Sequence, residues 1–112
     1  MAVSPKRLIA GSQLTNAAAT YYTATGVKAR IDALVLSNTT AGAVTATVYL
    51  VPSGGSAGAS NCILSARSLA AGESYVVPGA IGQWLEAGGT IQALAGANAS
   101  ITIVASGVES TV

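Results

Sequence analysis

Apolar and polar residues alternate along much of the chain, which is the pattern of β-strands that bury one face. In residues 43–51, for example, valine, alanine and leucine fall on one face, while threonine and tyrosine fall on the other. Clusters rich in glycine, proline and serine separate such runs at short intervals, as in β-sandwiches and barrels. The pattern predicts about eight short strands, over residues 8–12, 18–23, 29–37, 43–51, 62–68, 74–77, 90–94 and 100–106.

This spacing leaves little room for helix and predicts an all-β fold, a single-domain antiparallel β-sandwich or jelly roll. Residues 80–86 are ambiguous, because their apolar positions fit a helical turn as well as a short strand. We divide the chain into an extended N-terminal arm, residues 1–7, and a β-sandwich domain, residues 8–112. The arm contains Pro5, which discourages helix, and its backbone could add to a neighbour's sheet edge. The predicted core includes Ile31, Val35, Val48, Leu50, Ile63, Ile91, Ile101 and Ile103.

A second apolar surface is predicted beside this core. Leu34 and Leu36 fall on the strand face opposite the predicted core positions of residues 29–37. Tyr21 and Tyr22 are neighbours in a strand, so only one of them can join the same core. We therefore expect a homo-oligomer, a dimer or trimer, in which these apolar side chains face another subunit. The candidate interface residues are Pro5, Lys6, Arg7, Tyr21, Tyr22, Leu34 and Leu36.

Composition argues against most chemistry. The chain has no histidine, and its four acidic residues are scattered, so neither a catalytic base beside a nucleophile nor a metal-binding cluster is evident. We expect neither an enzyme nor a cofactor site. A formal charge of +1 gives no basic stripe for nucleic acid, and no apolar run approaches the length of a membrane helix. Cys62 is the single cysteine, which excludes an intrachain disulfide.

The few aromatic residues have two interpretations. Trp84 and the four tyrosines could form a stacking platform for sugars or bases. They are well separated in the sequence, and a domain built mainly from alanine and valine needs some large side chains to fill its interior. The sequence therefore favours aromatic residues in the core or at a seam.

Four runs of strands and turns carry a resemblance to a known group of proteins. They are ARIDALVLSNTTAGAVTATVYLVPSGGSAG, ILSARSLAAGESYVVP, GQWLEAGGTIQALAG and SITIVASGVE. With them the chain, over about residues 8–109, resembles small β-sandwich proteins encoded in the virion-structure regions of tailed bacteriophages and prophages. The resemblance is a pattern of strands and turns and contains no active-site motif.

The resemblance implies a virion structural protein, and we expect a capsid decoration (cement) protein that binds and stabilises the outside of the head shell. Its expected partners are the major capsid protein and copies of itself, with trimers slightly favoured. A tail, tail-fibre or head-fibre component or a receptor-binding module is the alternative. A small enzyme or inhibitor is a third and much weaker one.

Overall fold

The structure, a computed structural model, describes residues 3–111 and contains strands and short turns of 3-10 helix. The 3-10 turns are Ala59–Asn61 and Pro78–Ala80. The nine strands are β1 (Val3–Gln13), β2 (Ala19–Thr23), β3 (Val27–Asn38), β4 (Val44–Val51), β5 (Cys62–Leu69), β6 (Ser74–Val76), β7 (Trp84–Leu85), β8 (Thr90–Ala95) and β9 (Ile101–Thr111). All predicted strands are present, and the ambiguous segment supplies the additional strand, β7.

The strands form two antiparallel sheets that pack face to face. The larger sheet has the order β1-β9-β3-β6, with β7 also paired to β3, and the smaller sheet has the order β2-β8-β4-β5. The pairs β4–β5, β3–β6, β2–β8 and β1–β9 are thus nested, and apart from the short β7 the successive strands of each half alternate between the sheets. This is the jelly-roll arrangement, so the predicted fold class is confirmed.

A β-bulge in β3 changes which residues face the core. Ile31 pairs with Gly107 and Ala33 pairs with Ser106, so Asp32 is an extra residue in β3. The alternation therefore shifts by one position after Asp32, because successive side chains point to opposite faces of a sheet. A Cβ atom at Gly107 would overlap the carbonyl oxygen of Arg30, so only glycine permits this close approach of the strands.

The bulge overturns the prediction that Leu34 and Leu36 face a partner. Both side chains are fully buried in the core between the sheets. Val35, which we predicted to be a core residue, is only half-buried and lies on the outer face of the larger sheet. Of the other predicted core residues, Leu50 and Ile63 are half-buried against the core, and the remaining five are fully buried, namely Ile31, Val48, Ile91, Ile101 and Ile103.

Both adjacent tyrosines pack against the core, contrary to the expectation that one would face a subunit interface. Thr20 pairs with Gln92 and Tyr22 pairs with Ile91, which leaves Tyr21 as an extra residue in β2. Tyr22 is buried, and Tyr21 is half-buried against the core cluster. The Tyr21 hydroxyl accepts a hydrogen bond from the backbone N–H of Thr15, at 3.2 Å. The extra residue thus allows both tyrosine rings to pack on the core side of β2.

The described part of the predicted arm, residues 3–7, belongs to β1. It is extended, as expected, but it pairs with β9 from Val3↔Ser110 to Arg7↔Ser106 and does not project from the sandwich. Residues 1 and 2 lie outside the described residues. Because β1 is an edge strand of the larger sheet, its outer backbone edge is unpaired within residues 3–111.

The two ends of the sandwich differ. At one end the connections are short, and the buried side chain of Asn38 ties the β3–β4 turn to the end of β5. The other end carries the longer segments between strands β4 and β5, residues 52–61, and between β6 and β8, residues 77–89, the second of which includes β7. There a Cβ atom at Gly88 would overlap the Ser53 side chain, so the two connections touch. We call this the loop end.

Candidate binding surfaces

The outer face of the larger sheet carries a row of three valines, and no element among residues 3–111 covers it. Val35 pairs with Val76 on one side and Val104 on the other, so the three valines form one row across β6, β3 and β9. Val76 is 50% exposed, and the other two are half-buried. The neighbouring rows of this surface, here called the valine face, consist of Ser74, Ser37 and Thr102 on one side and Ala33, Ser106 and Arg7 on the other.

Charged groups are concentrated away from the valine row. Toward the loop end, Lys28 and Glu86 form an ion pair at 3.5 Å, and Arg30 and Asp32 form another at 2.9 Å. Arg7, at the margin of the valine face, is exposed and has no acidic partner within the described part of the chain. The valine face is therefore apolar and hydroxyl-lined, with a single charge at one margin.

The edges of the larger sheet resist the addition of another strand. Edge strand β1 carries Pro5, Lys6 and Arg7, and its pairing with β9 is interrupted after Arg7 and again after Ile9. Proline, cations and bulges are features that hinder strand addition at a sheet edge. Strand β6, at the opposite edge, is only three residues long. Faces are therefore better suited than edges for association with other molecules.

The predicted interface residues do not form one surface. Pro5, Lys6 and Arg7 are exposed on β1, whereas the four apolar candidates, Tyr21, Tyr22, Leu34 and Leu36, are buried or half-buried. In β1, Lys6 turns toward the seam between the sheets, where its ammonium contacts the Glu109 carboxylate at 3.4 Å. It therefore takes part in a contact within the chain.

Tyr22 joins that seam from the smaller sheet. Its hydroxyl donates a hydrogen bond of 2.5 Å to the second carboxylate oxygen of Glu109. Burial raises the pKa of the Tyr22 phenol well above its ordinary value, and the hydrogen bond and the negative charge of Glu109 add to the increase. Glu109 thus links β9 to β1 and β2, and this site has a structural role within the chain.

An open cleft of about 440 Å³ lies at the loop end. Trp84, Gln83, Glu86, Ser60, Leu50 and Ile63 are among the residues that line it. Trp84 is 49% exposed, contrary to the expectation that it fills the core or a seam. We call this depression the Trp84 cleft. Sequence reasoning missed it because β7 has only two residues and its exposure depends on distant segments.

Other kinds of site receive little support within residues 3–111. No group of three or more histidine, cysteine, aspartate or glutamate residues in this range is placed to hold a metal ion. The Cys62 thiol is half-buried and donates a hydrogen bond to the backbone carbonyl oxygen of Leu64, at 3.3 Å. None of the described segments is a helix with the length and apolarity needed to cross a membrane.

Comparison with known proteins gives a weak structural similarity. No family model matches the chain, and no curated protein matches it. A solved structure described as "Structure of infectious bursal disease virus Gx strain" is 18% identical, with a TM-score of 0.39. The alignment covers 96% of this chain and 38% of that one, so this chain spans well under half the length of its structural neighbour.

Proposed function

We propose that the protein is a virion structural component, specifically a capsid decoration protein that binds the outside of a bacteriophage head shell and stabilises it. The sequence resemblance to small β-sandwich virion proteins of tailed phages supports this role, and the jelly roll is a fold that viral capsid proteins use. The observation that carries the proposal is the valine face, a row of three valines bordered by hydroxyl groups, with only one charge at its margin. The proposal assigns no reaction to the chain.

Attachment through the valine face would depend on apolar contact and hydrogen bonds. The valine row offers an apolar centre, and the serine and threonine hydroxyls beside it offer a polar border, as in many protein interfaces. Arg7 can add one ionic contact, which salt would weaken. Binding should therefore survive high salt. Many copies on a symmetric shell would multiply a modest affinity per copy.

A charge placed on this face tests the proposal. The Val76→Lys substitution puts an ammonium group in the valine row, whereas Thr20→Lys puts the same group on an exposed position of the smaller sheet. Purified shells that lack the protein are mixed with each variant, and occupancy and heat resistance are measured. We expect Val76→Lys to bind much more weakly and Thr20→Lys to bind like the original chain. Equal binding by both variants, or no binding by the original chain, would contradict the proposal.

Self-association is part of the same proposal. The partners are the major capsid protein and further copies of this chain, arranged as a dimer or trimer. Light scattering at tens of micromolar should give a mass two or three times the 10.9 kDa of the chain. A purely monomeric protein at that concentration would remove this part of the proposal but leave shell binding to its own test.

The alternative is a tail, tail-fibre or head-fibre component or a receptor-binding module. The Trp84 cleft favours it, because an exposed aromatic ring beside polar groups is suited to ligand recognition. Fractionation of particles distinguishes the two roles. Recovery of the protein with tails, and not with shells, would replace the decoration role by this alternative.

A further inference from the structure

The indole of Trp84 is exposed and lies beside the Arg30 guanidinium. Its backbone pairs with Arg30 in the β3–β7 ladder, and the Arg30 guanidinium lies 5.8 Å from the ring centroid. That separation is within the range of a cation–π contact. Arg30 is held in turn, because its Nε atom donates a 2.9 Å hydrogen bond to the Asp32 carboxylate. These contacts favour one orientation of the ring, and a favoured orientation lowers the entropy cost of binding.

Polar side chains around the ring have unused hydrogen-bonding capacity. Gln83 and Ser60 line the cleft and are exposed, and their side chains form no hydrogen bond within residues 3–111. The Glu86 carboxylate is 71% exposed and is paired with Lys28 at 3.5 Å. The cleft thus offers amide and hydroxyl groups that can both donate and accept, and a carboxylate that accepts.

The size and lining of the cleft suit a small polar ligand with an apolar face. Its volume of about 440 Å³ is within the usual range for small-molecule sites. Leu50 and Ile63 supply part of the apolar lining of the cleft. A pyranose ring presents C–H groups on one face, which pack on an aromatic ring, and hydroxyl groups around its rim, which need both donors and acceptors.

Electrostatics argue against a phosphate-bearing ligand such as a nucleotide. Both cations near the cleft, Lys28 and Arg30, are already paired with carboxylates. Glu86 adds a negative charge to the wall itself. Nucleic-acid binding depends on cations that are free to neutralise phosphates, so an uncharged ligand is favoured here.

We propose that the Trp84 cleft is a binding site for neutral pyranose sugars, such as the exposed residues of a glycan. The indole stacks on the sugar ring, and the side chains of Gln83, Ser60 and Glu86 hydrogen-bond its hydroxyl groups. This site is distinct from the valine face and does not depend on attachment to a shell.

Trp84 is the only tryptophan in the sequence, so its fluorescence reports directly on this cleft. The full chain is titrated with maltose, lactose and N,N′-diacetylchitobiose, each to about 50 mM, which covers the weak affinities of small open sites. We expect a saturable change with at least one sugar and a Kd on the order of 1–10 mM. The absence of any saturable change with all three sugars would overturn the proposal.

Two variants and a matched control establish that the signal comes from the cleft. Gln83→Ala should raise the Kd at least about fivefold, and Trp84→Ala should abolish binding measured by calorimetry. Gln13→Ala removes an exposed glutamine at the opposite end and should leave the Kd unchanged. Circular dichroism verifies that each variant is folded. If Trp84→Ala does not fold, the Gln83→Ala variant still tests the proposal.

Two further results would contradict the assignment. Unchanged sugar affinity in a folded Gln83→Ala variant would place the ligand elsewhere on the protein. Tighter binding of a short thymidylate oligonucleotide than of every sugar would mean that the cleft recognises nucleic acid.

Discussion

Replacement of Asn38 should be one of the most damaging single polar changes in the protein. Its side chain is 2% exposed and all its hydrogen-bonding groups are used. The amide nitrogen donates to the carbonyl oxygens of Gly42, at 2.8 Å, and Leu69, at 3.0 Å. The side-chain oxygen accepts from the backbone N–H and the hydroxyl of Thr40, at 3.0 and 2.7 Å.

The size of the effect follows from what each partner loses in Asn38→Ala. The Leu69 carbonyl belongs to a buried residue and loses a partner that water cannot easily replace, at a cost of about 1–3 kcal/mol. Thr40 and Gly42 lie near the surface and can regain water, so each loses only about 0.5–1 kcal/mol. The free energy of unfolding should therefore fall by about 3 kcal/mol. At roughly 4 °C per kcal/mol for a domain of this size, Tm should fall by about 12 °C.

The Asn38→Asp variant keeps the size of the side chain and tests the hydrogen bonds separately. The introduced carboxylate would face two carbonyl oxygens and could not donate to them, so its pKa should be higher in the folded protein than the value of about 4 in the unfolded chain. The penalty should be smallest below that unfolded value and should grow as pH rises through the folded one. Urea unfolding between acid and neutral pH measures this dependence.

An exposed asparagine provides the control. Asn98 accepts a hydrogen bond of 2.7 Å from the backbone N–H of Asn16, and Asn98→Ala should cost under about 1 kcal/mol because water reaches the site. If Asn38→Ala unfolded within error of the original chain, or if Asn38→Asp showed no pH dependence of its own, the inferred role of Asn38 would be wrong.

Four other substitutions test the bulge, the core and the seam by thermal or urea unfolding. Gly107→Ala forces a backbone shift at the β3 bulge, so it should lower the free energy of unfolding by about 1–3 kcal/mol or more. A loss below half of the lower figure would mean that the two strands can move apart there without cost. Leu36→Ala should cost about 2–5 kcal/mol without changing the oligomeric state, and the half-buried Val35→Ala should cost less. A lower oligomeric state in Leu36→Ala would support the original prediction that Leu36 faces another subunit. Tyr22→Phe loses the hydrogen bond to Glu109, about 1 kcal/mol near neutral pH. Because the folded pKa of Tyr22 is raised, the original chain should lose stability above about pH 10, and Tyr22→Phe should lose less there. Parallel alkaline profiles for the two proteins would contradict this.

Local alternation located eight of the nine strands, because a period of two can be seen directly in the sequence, but it missed β7 and left out the first five residues of β1 and the last five of β9. Which face of each strand is turned to the core was harder to predict from the sequence. In β3 it depends on Asp32 being an extra residue, which in turn depends on the missing side chain of Gly107 in a distant strand. Leu34 and Leu36 were therefore assigned to the wrong face.

The binding surfaces were harder still to predict. Pro5, Lys6 and Arg7 were recognised as an exposed extended segment, but their pairing with β9 joins opposite ends of the sequence. Trp84 was expected inside the protein because large side chains usually fill a core. Its exposure depends on how residues 52–61 pack against residues 77–89, which include the two-residue strand β7. No local sequence pattern predicts that packing.

The nesting of the strand pairs predicts the order in which they form during folding. The β4–β5 hairpin closes over residues 52–61 alone, whereas the β1–β9 pair brings Val3 to Ser110. Closing the longest loop costs the most chain entropy, so we expect β4–β5 to form early and β1 to dock last, over milliseconds to seconds. The strand that stays undocked longest is then the one that carries Pro5, Lys6 and Arg7. Its resistance to strand addition therefore protects the folding chain as well as the finished sheet.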